Sequence, residues 1–212
     1  MIKKAEWIVE TLEAMFPNAK AELDFTNNFE LLVAVVLSAQ TTDVAVNKVT
    51  PTLFKSYPNP NVLSNAKQED VENHIKSIGL YRNKAKHLIG LSKKIVEEHN
   101  GIVPNTRKEL EALPGVGRKT ANVVLANAFN KPTIAVDTHV QRVSIRLGLA
   151  KKNSSPLQVE NSLYKIFPKD TWIKLHHQLI FFGRYQCLAR NPRCHNCPFF
   201  DICKFPLKEQ YR

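Results

Sequence analysis

Leu113-Pro114-Gly115-Val116-Gly117-Arg118-Lys119 runs straight into the apolar-periodic segment Thr120 to Phe129. It reads as a tight turn that opens a helix. Two glycines around one small apolar residue let the backbone fold sharply and leave several N–H groups of the helix start pointing outward without intrahelical partners. Such a place attracts a phosphate. Lys119 falls in the first turn of that helix, where the positive end of the dipole disfavours an ammonium and favours a usable amine. A phosphate cradle beside a candidate nucleophile is one reading. The other is an ordinary glycine turn among 30 Lys and Arg residues, most of them solvated surface charges, and on this stretch alone that second reading is the commoner outcome. Upstream, Thr106 is placed to cap a short helix through Ala112, with Glu109 completing a capping box. The stretch is therefore the turn of a helix-turn-helix pair.

Working outward, helical periodicity dominates the chain. Ile2, Ala5, Ile8, Val9, Leu12 and Met15 recur at helical spacing and stop before Pro17, giving an amphipathic first helix. Phe29 to Gln40 is apolar on enough sides for a buried helix, although its β-branched valines leave a buried strand open. Thr41-Thr42-Asp43 caps a further helix through Phe54, which Pro51 is expected to kink or split. Val71, His74, Ile75 and Ile78 form the apolar side of a short helix ended by Gly79. Tyr81 to Glu98 reads as a long basic helix, with Ala85, Leu88, Ile89, Leu91, Ile95 and Val96 inward and Arg82, Lys84, Lys86, Lys93 and Lys94 mostly outward. Pro132 to His139 leads into a helix capped by Asp137 and closed by Gly148, and helices follow over Pro156 to Phe167 and Thr171 to Tyr185. No alternating strand pattern, internal repeat or low-complexity segment interrupts this. The fold class is all-α.

A chain of 212 residues can bury a proper core without disulfides. Its net charge of +11 leaves an uncompensated positive field that most often serves a polyanion, with nucleic acid the first suspect and an acidic membrane surface the second. The longest apolar run, Leu31 to Leu37, is far too short to span a bilayer. Met1-Ile2-Lys3-Lys4 is followed by an amphipathic pattern containing Glu6, Glu10 and Glu13, which predicts no secretory signal and hence a reducing compartment.

The four cysteines, Cys187, Cys194, Cys197 and Cys203, follow the spacing Cys-x6-Cys-x2-Cys-x5-Cys. Clustered thiols in a reducing compartment are a metal site rather than disulfides. Zinc and an iron–sulfur cluster both accept four cysteines. One Cys-x2-Cys knuckle with irregular flanks, where a zinc ribbon has two knuckles, favours iron and sulfur. Arg184, Arg190, Arg193 and Lys204 surround the loop. A metal-stiffened basic loop can present charge to a phosphate backbone or serve simply as a staple.

Taken together, the chain resembles the endonuclease III family, iron–sulfur DNA glycosylases of the helix-hairpin-helix superfamily. The resemblance covers nearly the whole chain and rests on Leu113 to Asn122, Ala135-Val136-Asp137-Thr138-His139-Val140 with Arg142, Gly183-Arg184-Tyr185, and the cysteine spacing. Leu37-Ser38-Ala39-Gln40-Thr41-Thr42-Asp43 and Gly79-Leu80-Tyr81 are also similar to family segments, whereas Arg82 stands where asparagine is also common. The resemblance implies two helical domains flanking a DNA-binding cleft: residues 22–131 with the hairpin, and residues 1–21 with 132–212 carrying a 4Fe-4S cluster on Cys187, Cys194, Cys197 and Cys203. It implies that Lys119 is the nucleophile, forming a Schiff base with the sugar before β-elimination, and that Asp137 is the catalytic carboxylate. It further implies DNA-binding roles for Gln40, Leu80, Gly115, Gly117, His139, Arg142 and Arg184, with Gln40 and Leu80 entering the duplex. The expected protein is a bifunctional DNA glycosylase and AP lyase acting on double-stranded DNA with oxidised pyrimidines or abasic sites. It is expected to be a monomer, cytoplasmic and nucleoid-associated, in a bacterium.

Two other readings compete. An adenine mismatch glycosylase of the same superfamily uses a glutamate from an early helix and lacks the hairpin lysine; here Lys119 is present and Leu31 to Ala39 contains no carboxylate. A non-catalytic helix-hairpin-helix DNA-binding module has no need for a carboxylate facing a polyanion, and the presence of both Lys119 and Asp137 argues against it.

Overall fold

The computed structural model describes residues 2–212, with the side chain of Ile2 excepted. The inward placement expected for Ile2 lies outside the described residues, as does Met1. Among the described residues every regular element is helical. The helices are α1 (Ile2–Met15), α2 (Asn28–Leu37), α3 (Asp43–Ser56), α4 (Pro60–Ser64), α5 (Gln68–Ile75), α6 (Tyr81–His99), α7 (Arg107–Glu111), α8 (Arg118–Phe129), α9 (Thr138–Arg146), α10 (Pro156–Ile166) and α11 (Trp172–Tyr185), with short 3-10 turns in the C-terminal third. No helix among them is long and apolar enough to cross a membrane. The chain divides into two compact units: Glu22–Asn130, and the chain up to Ala21 joined to Lys131–Arg212.

The unit Glu22–Asn130 is built around α2. Phe29 to Leu37 are all buried, so this helix is surrounded by its neighbours, and the strand left open by its valines does not form. Its start is fixed by Asn27, whose side chain accepts from the Glu30 N–H, while the Glu30 carboxylate takes the Thr26 N–H at 2.6 Å and the Thr26 hydroxyl at 2.8 Å. Such caps are worth about 1 kcal/mol each. Two expectations are corrected here. First, α3 is not split at Pro51, because the helix spans Asp43–Ser56 with that proline inside it. Its buried stripe of Val46, Val49, Thr50 and Leu53 holds the helix together, and Pro51 itself lies on the exposed side. Second, Lys84 on α6 is buried at 4 % exposure instead of facing outward with its basic neighbours.

In the other unit, α1 lays Ala5, Ile8 and Leu12 into a core shared with Val140, Val143, Leu163, Leu175, Leu179 and Phe182. Ser155 and Gln158 form a full capping box at the start of α10. At Thr106 the box is only half-formed, because the Glu109 carboxylate accepts from the Thr106 hydroxyl while that hydroxyl caps the Glu109 N–H. Burial within α11 pushes the His177 imidazole down from 6.5 to about 4. A base held neutral in the folded state while its unfolded counterpart takes a proton lends stability above pH 6.5 that is lost as pH falls toward 4, by up to about 3 kcal/mol. Thermal melts are therefore expected to show Tm falling over that window. His177→Gln should make the slope shallower; an unchanged slope would remove His177 as its source.

Candidate active site and cluster loop

In the unit Glu22–Asn130, the hairpin between α7 and α8 is anchored by buried Leu110, Leu113 and Val116. Its two glycines serve different needs. Gly115 has a left-handed backbone (φ 78), and a Cβ there would sit 2.9 Å from the Cβ of His87, so both conformation and space demand glycine. Gly117 is extended at φ −95, and an added Cβ would meet nothing within 4 Å. The protein's own packing does not require glycine at 117. What its bare backbone provides is an exposed approach to the start of α8, whose N-cap offers no side-chain hydrogen bond. Lys119 is exposed in the first turn of that helix.

The same unit holds Gln40 and Leu80 in unusual backbone. Both are non-glycine residues in the left-handed region, at φ 55 and φ 59, and both side chains are exposed. Such backbone costs on the order of 1 kcal/mol or more per residue and persists only where neighbours impose it. Leu80 is 56 % exposed at the N-cap of α6, so it is not the core leucine that a position beside a turn usually supplies.

In the other unit, Asp137 N-caps α9 through Oδ1, which accepts from the Val140 N–H at 2.8 Å. Its Oδ2 lies 3.1 Å from His139 Nδ1, within hydrogen-bond distance. One carboxylate thus organises the helix start and orients a histidine. Gly183 lets α11 come this close to α9: a Cβ there would be 2.8 Å from the Cβ of His139. Arg142 is turned toward α11 and the loop after it. Its Nη2 donates to the Gly183 carbonyl at 2.7 Å and its Nε to the Cys187 carbonyl at 3.0 Å. Its guanidinium therefore ties α9 to the cluster loop, a use that its sequence motif did not disclose. Arg184, in the last turn of α11, is half-buried.

One turn further along α9, Arg146 continues the tie. Nη1 donates to the Leu188 carbonyl at 2.7 Å and to Cys187 Sγ at 3.4 Å, Nη2 to the Ala189 carbonyl at 3.2 Å, and the guanidinium lies 3.9 Å from the Phe205 ring centroid. Its own carbonyl accepts from Lys204 N. One side chain thus clasps both ends of the loop. Buried Gln186 closes the middle, donating to the Arg193 carbonyl at 2.6 Å and to Asn196 Oδ1 at 2.8 Å. Sequence reasoning missed Arg146 and Gln186. The signal available for the first was the four-residue spacing from Arg142, which puts both arginines on one face of α9.

Cys187, Cys194, Cys197 and Cys203 all line one pocket. Four cysteines around one space are a donor set that both zinc and an iron–sulfur cluster accept. Burial pushes the Cys197 thiol up to about 11, and burial with the neighbouring sulfurs raises Cys194 as well. Loading the cluster must therefore displace protons, and its cations offset the repulsion between thiolates.

These features define an iron–sulfur helix-hairpin-helix DNA repair protein. The profile of the HhH-GPD superfamily base excision DNA repair proteins matches residues 33–169, and that of the iron–sulfur binding domain of endonuclease III matches residues 187–203. Endonuclease III of Bacillus subtilis (strain 168) is 53% identical over 203 residues, covering 96% of this chain and 93% of that one. Endonuclease III of Escherichia coli (strain K12) is 48% identical over 201 residues, covering 95% of each. A solved structure of a trapped endonuclease III–DNA covalent intermediate superposes with a TM-score of 0.95 at 49% identity, over 100% of this chain and 99% of that one. A thermostable thymine-DNA glycosylase shares the fold at TM-score 0.87 and 23% identity, over 98% of each chain. The chain belongs to the HhH-GPD superfamily, in its endonuclease III branch. It is a base excision repair DNA glycosylase and AP lyase with a 4Fe-4S cluster.

Two substitutions probe this geometry. Gly183→Ala should force His139 and Arg142 out of place, lowering Tm by several degrees, as overpacking of 1–3 kcal/mol does. Arg146→Met should speed loss of the cluster's visible absorbance under a chelator while leaving the helical circular dichroism near wild type. Equal rates in variant and parent would show that the clasp does not hold the loop.

Proposed function

We propose that this enzyme removes oxidised pyrimidines such as thymine glycol from duplex DNA and then cuts the abasic strand through a Schiff base on Lys119. The observation that carries this reading is the exposed amine of Lys119 in the first turn of α8, directly after a glycine hairpin that opens onto the amides of that helix start, where Gly117 supplies no side-chain cap. A phosphate held by those amides brings a nucleotide to the lysine. The amine attacks C1′ as the N-glycosidic bond breaks, and the base leaves with its electron pair. The sugar ring opens to an imine, loss of a C2′ proton follows, and the C3′–O bond breaks, which cuts the strand on the 3′ side. Release of the base requires the target nucleotide to be turned out of the stack.

Asp137 acts as the carboxylate that stabilises positive charge developing on the sugar and helps Lys119 lose its proton. The hydrogen bonds to Val140 and His139 support this role by fixing both oxygens in place. Gln40 and Leu80, exposed on turns of defined backbone, fill the gap that the extruded nucleotide leaves. Gly115 and Gly117 present backbone to phosphate, and His139 and Arg184 contribute polar or basic contacts. Arg142 acts at one remove, by holding the helix that carries Asp137 against the loop. The four cysteines hold the cluster, which supplies a structural staple. The enzyme works in the bacterial cytoplasm, a reading that its bacterial relatives support, and as a monomer.

Borohydride trapping tests the core of this proposal. Wild-type protein mixed with a duplex carrying one thymine glycol and reduced should give a covalent protein–DNA band, which Lys119→Gln loses while retaining most of its binding. A band that persists in the variant would place the nucleophile elsewhere. Asp137→Asn should slow base release roughly a hundredfold or more; full glycosylase activity would take it out of the mechanism. Affinity for damaged duplex should fall steeply with salt, because most contacts go to phosphate.

A further inference from the structure

The two left-handed turns of the unit Glu22–Asn130 are fastened to each other by one side chain. Lys84 lies in the first turn of α6, and its backbone N–H donates to the Leu80 carbonyl at 3.0 Å. Its Nζ reaches the turn between α2 and α3 and donates to Thr41 Oγ1 at 2.6 Å. Thr41 is the neighbour of Gln40, and its hydroxyl and N–H bond back to the Ala39 carbonyl at 3.4 Å and the Ser38 carbonyl at 3.1 Å. A continuous path of hydrogen bonds therefore links the backbone that carries Leu80 to the backbone that carries Gln40.

Stability alone gives little reason for this arrangement. Lys84 is 4 % exposed, and an ammonium removed from water for one neutral hydroxyl loses more solvation than that bond returns. Desolvation lowers its pKa, as expected of a burdened cation. An unbranched apolar side chain would fill the same space without the penalty. In some proteins a buried charge that works against stability is kept because it fixes a geometry.

We infer that Lys84 is a positioning residue that locks the Gln40 turn to the Leu80 turn, so that the two exposed side chains are presented to DNA at a fixed separation. The inference rests on the proposal that Gln40 and Leu80 enter the duplex. Its physical content is preorganisation: two probes on independently moving turns must give up that freedom when they enter the stack, whereas a pair locked beforehand has little left to lose.

The test uses full-length, cluster-loaded protein and a duplex carrying a non-cleavable abasic analogue beside a fluorescent adenine analogue that brightens when unstacked. Gln40→Ala and Leu80→Ala serve as references for insertion. Lys84→Met should keep or raise Tm and bind undamaged duplex like wild type, since a buried lysine holds no phosphate. Its affinity for the analogue duplex should fall roughly tenfold, with a matching loss of fluorescence. Thr41→Val, which removes the acceptor from the other end, should produce the same loss, and the double variant should lose no more than either single one. The inference is overturned if Gln40→Ala and Leu80→Ala impair insertion while Lys84→Met and Thr41→Val do not, or if Lys84→Met lowers Tm with analogue binding unchanged. If the two reference variants are themselves silent, the insertion reading fails and this inference fails with it. Should Lys84→Met not fold, Thr41→Val decides the matter alone.

Discussion

The carbonyl groups where α11 ends and the cysteine loop begins have no partners within a helix, and something must satisfy them. Two arginines from one face of α9 do so: Arg142 at Gly183 and Cys187, Arg146 at Leu188 and Ala189. Much of the C-terminal unit follows from that interaction. It fixes where the first cysteine stands, brings α11 close enough to α9 that only glycine fits at 183, and aligns the helix whose N-cap is Asp137. A guanidinium suits the task because its planar fork reaches several carbonyls at once, which an ammonium does not.

The other unit is organised by a different constraint, the full burial of α2. Once Phe29 to Leu37 are surrounded, the turns at either end of that helix are held by the core, and unusual backbone at Gln40 becomes affordable in the sense that packing imposes it. The α7–α8 hairpin is likewise anchored by apolar residues on its inner side, which leaves its outer glycine free of any packing role. The contrast between Gly115, demanded by the fold, and Gly117, not demanded by it, separates structural need from surface function within one short motif.

The enzyme class was legible because its chemistry is written in local spacing. A glycine hairpin followed by Lys119, a capping Asp137, and four cysteines at fixed intervals need no knowledge of what lies across the fold. Helix positions were legible for the same reason, since caps such as Asn27, Thr42, Thr106 and Asp137 act over a few residues. The irregular cysteine spacing already favoured iron and sulfur over zinc, and the match of residues 187–203 to the iron–sulfur binding domain of endonuclease III agrees with it.

Local pattern was enough for the all-helical character, the order of the motifs and the residue types available for chemistry, because each depends on interactions within a turn or two of helix. The direction in which individual side chains point came only from packing across the fold. Lys84 sits among basic residues that face solvent, yet it turns inward to Thr41. Arg142 sits in a motif associated with DNA, yet its guanidinium goes to carbonyls on α11 and the loop. Pro51 breaks local helix rules, yet α3 continues through it because its buried face is held elsewhere. For Lys84 and Arg142 the partner lies far along the chain, and periodicity, which records only near neighbours, carries no trace of it.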